Sequence, residues 1–275
     1  MKTILIPTDY SPAAMNAADY ALDFAKHIDA QVILLHVFHI PIVTTEVPIA
    51  MPTFDELEKY NLDTLKQWKQ ELRIRHKSGT ISECIVKPGF VIDEIRNTVK
   101  EKSIDLIVMG ITGSNKLAEL LIGSNTTGVI KDVKCHTLII PEGAVFRPIK
   151  IIAFACDFEK FKDETALNQL KAFVLQLNAK LMILNVVDSV EETVTTEKAL
   201  SGIRIENIFE NVNHSLHFPE DDDVVHAINK FVDFYEADQI VMIPHKHNMF
   251  SRMFHEGSTK KMAFHTHVPL LAIPE

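Results

Sequence analysis

Gly110, Gly113, Gly123 and Ser124 fall in the spacing G-x2-G-x9-G-S, directly after the apolar run Asp105-Leu106-Ile107-Val108-Met109. That run reads as a buried strand. Glycine lets a backbone approach a ligand closely and permits positive φ. Ser124 can cap the helix that follows, whose free N–H groups and dipole attract phosphate. A strand, a glycine loop and a capped helix start together point to an anion site near the middle of the chain. Asp9 ends a second strand-like run, Lys2-Thr3-Ile4-Leu5-Ile6-Pro7. In open α/β sheets ligands bind beyond the carboxyl ends of strands, where the winding reverses. If the strands before Asp9 and Gly110 are neighbours there, the carboxylate takes the nucleoside side of a nucleotide and the glycines take its phosphates.

Other chemistry is less well specified. His245, His247, His255, His265 and His267 fall within 23 residues, with Glu256 among them. Imidazole is a common transition-metal ligand, but no closed set of ligand spacings is recognisable, and a mildly basic anion site at His245-Lys246-His247 is the plainer reading. The run Glu220-Asp221-Asp222-Asp223 precedes Val224, Val225 and Ile228 and reads as an acidic helix start, with calcium binding as the lesser reading. Trp68 reads as a core residue. There is no G-x-S-x-G elbow, no Walker-A loop and no G-x-G-x-x-G fingerprint.

The elements that must position these groups repeat. KTILIPTD (Lys2 to Asp9) matches KIIAFACD (Lys150 to Asp157), 148 positions on. QVILLHV matches KLMILNVV, DLIVMGITG matches QIVMIPHKH, and TLIIPE (Thr137 to Glu142) matches LLAIPE (Leu270 to Glu275). The chain is a tandem duplication of whole domains, 1–146 and 147–275, with the boundary near Gly143 to Pro148. Each half reads β-α-β-α-β-α-β-α-β. In the first half Ser11-Pro12 opens a helix whose stripe is Ala14, Ala18, Ala21, Ala25 and Ile28. Thr53-x-x-Glu56 is a capping box for a second helix carrying Leu57, Leu65, Trp68 and Leu72. Ile81 to Lys87 reads as a strand, and Val91, Ile95 and Val99 mark the next helix. Continuous apolar strands alternating with helices give an α/β fold: two tandem doubly wound, mainly parallel five-stranded sheets, Rossmann-like.

Composition bounds the rest. The 275 residues are 47% apolar, enough for a packed core, and the net charge of −9 argues against bulk attraction to nucleic acid. Three scattered cysteines, Cys84, Cys135 and Cys156, argue against a disulfide framework. No apolar run approaches a membrane span, and the start is too quickly polar for a signal peptide, so a cytoplasmic protein is expected.

With these residues in view, the chain resembles the universal stress protein family in its tandem form. The glycine motif, Pro7-Thr8-Asp9, Leu35-His36-Val37 and Met109 all look like those of nucleotide-binding members. The resemblance implies that Asp9 and the backbone at Val37 contact the adenosine, and that Gly110, Gly113, Gly123 and Ser124 hold the phosphates. Pro7, Met109, Asn125 and Thr126 would line the site, with ATP as ligand and Mg²⁺ on its phosphates. It also implies pairing of last strands, so the halves are expected to form an intramolecular pseudo-dimer and two chains to pair as a homodimer.

The second half departs from the pattern: Pro244 stands in the place of Gly110 by its spacing to Gly257-Ser258, and His247 in that of Gly113. Proline has no N–H to offer a phosphate. This half also has fewer residues between its second and fourth strands, so part of a helix or lid is expected to be missing. The expectation is a nucleotide-binding first domain and a degenerate second, with the nucleotide as a structural or regulatory ligand. The alternatives are a slow ATPase or autophosphorylating enzyme, with Ser11, Ser124 and Thr126 as acceptors, and a nucleotide-free interaction module with a metal or other ligand at the histidines. AMP or a cyclic nucleotide in place of ATP stays open, as do the protein partner and the stress signal.

Overall fold

The computed structural model describes residues 1–40, 52–77, 80–111, 124–156, 164–187, 196–244 and 268–274. Its first half runs β1 (Thr3–Pro7), α1 (Pro12–Ile28), β2 (Gln31–Phe38), α2 (Phe54–His76), β3 (Ile81–Pro88), α3 (Val91–Lys102), β4 (Leu106–Gly110), α4 (Ser124–Asp132) and β5 (His136–Ile140). The second runs β6 (Ile151–Ala155), α5 (Thr165–Leu177), β7 (Lys180–Leu184), α6 (Thr196–Phe209), β8 (His214–His217), α7 (Val224–Tyr235), β9 (Gln239–Met242) and β10 (Leu270–Ala272). The helix that the repeat predicts before β10 would fall within 245–267, outside the described residues.

Local chemistry starts the helices as the sequence implies. Ser11 caps α1 by accepting the Ala14 amide at 3.2 Å, with Pro12 in the first turn. Thr53 and Glu56 form the reciprocal capping box of α2, Thr53 N–H to Glu56 Oε2 at 2.7 Å and Glu56 N–H to Thr53 Oγ1 at 3.3 Å. The acidic run ends in Asp223, whose Oδ1 accepts the Val225 and His226 amides at the start of α7. Helix α6 is described over the 14 residues Thr196–Phe209, and the residues leading into it, 188–195, lie outside the described ones.

The ten strands among the described residues belong to one sheet, in the order β3-β2-β1-β4-β5-β10-β9-β6-β7-β8. Each half is a parallel, doubly wound set of five, and the two sets join where β5 and β10 pair antiparallel, Leu271 opposite Leu138. The same device fixes the strand register in both halves. Asp105, just before β4, accepts the backbone amides of Lys2 and Thr3 at 2.6 and 3.0 Å. Asp238, just before β9, accepts those of Lys150 and Ile151 at 2.7 and 2.9 Å.

The core does not divide as the repeat does. On one face of the sheet a single cluster runs from α1 and α2 (Ala21, Leu65, Trp68) to α5 and α6 (Leu170, Phe173, Phe209). On the other face α3 and α4 cover the first half through Ile95 and Val129, and α7 covers the second through Ile228 and Val232. The connector between β5 and β6 joins the shared layer: Phe146 packs against Tyr20, Phe24 and His27 of α1. One buried group is at odds with that layer. Gln239 is fully buried and neither polar atom of its amide has a hydrogen-bond partner. The matching position of the first half is Leu106, set by the shared pairing of Ile4 with Leu106 and Ile152 with Gln239.

Three predictions follow from this packing. Gln239→Leu removes two unsatisfied polar atoms without changing shape much, and is expected to raise the unfolding free energy by about 1–3 kcal/mol in urea titration. Gly110→Ala is expected to lower it by about 1–3 kcal/mol, because a Cβ there would lie 2.2 Å from the Ala13 carbonyl oxygen, and backbone cannot rotate away as a side chain can. The third concerns the end of α2. His76 Nε2 lies 2.8 Å from Asp19 Oδ1 and Nδ1 lies 3.0 Å from Asp23 Oδ1, and only the protonated ring donates at both nitrogens. Burial pushes the imidazolium down, but the two carboxylates outweigh it and hold the His76 pKa above its usual value. The resulting stabilisation is full below the unfolded value of about 6.5 and is lost as pH rises through the higher folded value. In scanning calorimetry the Tm advantage of the wild type over His76→Gln is therefore expected to shrink as pH rises above about 6.5.

Candidate functional site

Strand β1 pairs with β2 on one side and β4 on the other, all parallel. The chain winds outward from β1 through β2 to β3, then crosses back to β4, so a crevice opens between β1 and β4 at their carboxyl ends. A cleft of about 220 Å³ lies there. The end of β1 contributes Pro7, Thr8 and Asp9, and the start of α1 contributes Ser11, Ala13 and Ala14. Strand β2 contributes Leu35 and Val37, α3 its first residue Val91, β4 Met109 and Gly110 with Ile111 beyond it, and α4 its first turn, Ser124, Asn125 and Thr126.

The walls differ in character. Leu35, Val37, Val91, Met109 and Ile111 make an apolar slot. Thr8, Asp9, Ser11, Ser124, Asn125 and Thr126 line the rest with hydroxyl, amide and carboxylate groups. Asp9 is the one ionisable side chain among the described lining residues, and it is exposed. Its Oδ1 accepts the Ser11 amide at 3.0 Å. Its remaining acceptor capacity is open to a ligand. Opposite, α4 presents its N-terminus, where first-turn amides have no intrahelical partner and the dipole favours an anion.

Eight of the ten residues expected from the sequence thus come together: Pro7, Asp9, Val37, Met109, Gly110, Ser124, Asn125 and Thr126. Gly113 and Gly123 lie outside the described residues, as do Asp157, Gly257, Ser258 and the histidine group from His245 to His267. No group of three metal-ligating side chains occurs among the described residues. Ser124 is described as part of α4, and the residues leading into it, 112–123, lie outside the described ones. One expectation changes in detail. Gly110 ends β4 in ordinary strand pairing with Ile140, and its missing side chain makes room for the first turn of α1 at Ala13. Its glycine is needed for that approach whatever the ligand.

The second half carries a larger correction. The Asp238 clamp and the β6–β9 pairing put Met242 in the place of Met109, so Ile243 stands where Gly110 stands and Pro244 one place further on, at Ile111. Spacing to Gly257 aligns Pro244 with Gly110, one residue out of this register. Ile243, at the glycine position, is buried; residues 157–163, which lead into α5 at Thr165, lie outside the described residues.

The lining residues that sequence reasoning missed are Ala13, Ala14, Val91 and Ile111, while Thr8 and Leu35 stood in the resembling strand ends without being assigned to the site. Leu35 had a usable signal, since it lies two positions from Val37 and shares its face of the strand. Ala13 and Ala14 had a weaker one, as small residues in the first turn of a helix that must crowd the crevice.

Comparison with known proteins agrees with this arrangement. The universal stress protein family model matches residues 1–141. A universal stress protein of Methanocaldococcus jannaschii is 33% identical over 141 residues, 50% of this chain and 81% of its own. The universal stress protein YxiE of Bacillus subtilis is 31% identical over 146 residues, 50% of this chain and 97% of its own. The crystal structure of a universal stress protein from Archaeoglobus fulgidus superimposes on 99% of this chain and 98% of its own with a TM-score of 0.74 at 20% identity, a likeness of fold along both halves. With the glycine-ended β4, Asp9 at the end of β1 and the family match across the whole first half, the chain belongs to the universal stress protein family.

Proposed function

We propose that residues 1–146 form a domain that binds an adenine nucleotide, ATP with Mg²⁺ on its phosphates, and that residues 147–275 form a degenerate copy that does not. The observation that carries this reading is the two-sided cleft between β1 and β4, with an apolar slot ending at Asp9 and a helix N-terminus facing it. A flat base suits the slot between Val37 and Met109, and ribose hydroxyls suit the free side of the Asp9 carboxylate. Phosphates suit the α4 start, with Ser124 and Thr126 as hydroxyl donors and Gly113 and Gly123 as the rest of the cradle. At about 220 Å³ the cleft is smaller than the roughly 300–1,000 Å³ typical of pockets that enclose a ligand. It suits a nucleoside, with the phosphates running out over α4. One carboxylate is too few to hold Mg²⁺ alone, so the ion would sit on the phosphates, as this cation usually does.

The described lining offers no arginine and no base placed to orient a water, two groups that make phosphoryl transfer fast. The nucleotide therefore acts as a structural and regulatory ligand in a stress response, and any hydrolysis is slow. For the second half, the support is Ile243 and Pro244, just past the end of β9, where the first half has Gly110 and Ile111. Among the described residues no helix is long and apolar enough to cross a membrane. A cytoplasmic location and a homodimer built on the pseudo-dimer of halves complete the proposal.

The test is to purify the chain without added nucleotide, denature it, and identify released small molecules by mass spectrometry, before and after soaking with Mg-ATP. About one adenine nucleotide per chain is expected, with a gain of about 2.7 kcal/mol in stability at a hundredfold excess over Kd. Asp9→Ala is expected to weaken binding about tenfold or more, a loss of about 1.4 kcal/mol. Two nucleotides per chain would overturn the degenerate second half, and none after soaking would overturn nucleotide binding.

A further inference from the structure

Tyr10 sits between two residues of the cleft, Asp9 and Ser11, yet does not line it. Its backbone has φ of 62°, in the left-handed region, which costs a residue with a side chain about 1–2 kcal/mol. That turn aims the ring to the opposite side, under α2. There it packs on His36 at 4.7 Å between ring centroids and meets Trp68 edge-on at 5.9 Å. Trp68 is 6% exposed and is the only tryptophan in the chain.

The residues around Tyr10 are tied into one unit. The Tyr10 amide donates to Thr8 Oγ1 at 3.0 Å, the Ser11 amide donates to Asp9 Oδ1 at 3.0 Å, and the Thr8 carbonyl lies 2.8 Å from His36 Nδ1. A ligand that takes hold of Asp9 therefore pulls on a short, pinned turn whose apex is Tyr10. The Tyr10 hydroxyl and the Trp68 indole N–H are both buried without a hydrogen-bond partner. Ring packing, not a hydrogen bond, joins the two residues. A strained backbone and two unsatisfied donors thus meet at one contact, a cost in stability borne beside the cleft.

We propose that Tyr10 couples the cleft to helix α2, so that occupancy at Asp9 is read as a displacement at Trp68. This rests on the nucleotide reading above, and extends it by naming the element that responds. Helix α2 is exposed along much of its length. A shift there changes the outer surface of the protein while the ligand stays on the far side of Tyr10.

The experiment titrates Mg-ATP into the full chain and follows heat by calorimetry and Trp68 emission by fluorescence in parallel. The wild type is expected to show a saturable change in emission with the same midpoint as the heat. Tyr10→Phe keeps the ring and removes a hydroxyl that has no partner, so it is expected to behave as the wild type. Tyr10→Gly adopts the same backbone without strain and lacks the ring. Its heat of binding is expected to persist with Kd within about threefold, while its emission response is lost. Heat without an emission change in the wild type would overturn the coupling alone, and needs no variant to fold. An emission response that survives in Tyr10→Gly would overturn Tyr10 as the link. No heat in the wild type would overturn the nucleotide reading and the coupling together.

Discussion

The parallel contact between β1 and β4 fixes everything that happens at the carboxyl edge of the first half. Two strands that are distant in sequence have to be aligned to within a residue, or Asp9 and the end of β4 do not face one crevice. The Asp105 carboxylate does this at the opposite end, accepting two amides at the start of β1. Charge-assisted bonds of this kind are the stronger hydrogen bonds of a protein. Once the bottom of the pair is set, parallel pairing carries the register upward to the site. The second half uses Asp238 on Lys150 and Ile151 in the same way. The repeat therefore conserves its alignment device even where its crevice differs.

Joining the halves through β5 and β10 hides two sheet edges in one continuous sheet, and an unpaired edge is a template for unwanted association. It also merges the helices on one face into a shared layer, with α1 and α2 continuing into α5 and α6. A duplication that began as two cores thus has a common one on this face and separate ones on the other. The polar Gln239 belongs to the shared layer, at a place where the first half has leucine.

Around the cleft, packing needs and ligand needs fall on the same residues. Gly110 admits the first turn of α1, and that approach brings Ala13 and Ala14 to the wall of the cleft. In the second half the buried Ile243 stands at the matching position. Tyr10 shows the same overlap, since the left-handed turn that sends its ring to Trp68 is the one that leaves Asp9 and Ser11 at the cleft.

The sequence by itself determined the local events. Apolar runs bounded by Asp9 and Asp105, the Ser11-Pro12 start, the Thr53–Glu56 box and the Asp223 cap are each decided within a few residues by backbone hydrogen bonding and periodicity. Internal repetition determined the two-part, mainly parallel architecture, and most of the cleft followed, because ligands gather where such winding reverses. Tertiary structure decided what depends on contact across distance. The order of strands made β1 and β4 neighbours. The common layer on one face formed because β5 met β10, a pairing between strands far apart in the chain. The register of β9 was set by Asp238 rather than by spacing to a later glycine, so Ile243 and not Pro244 matches Gly110. Spacing along a chain counts residues, whereas register is fixed by which amide meets which carbonyl, and loops of different length separate the two.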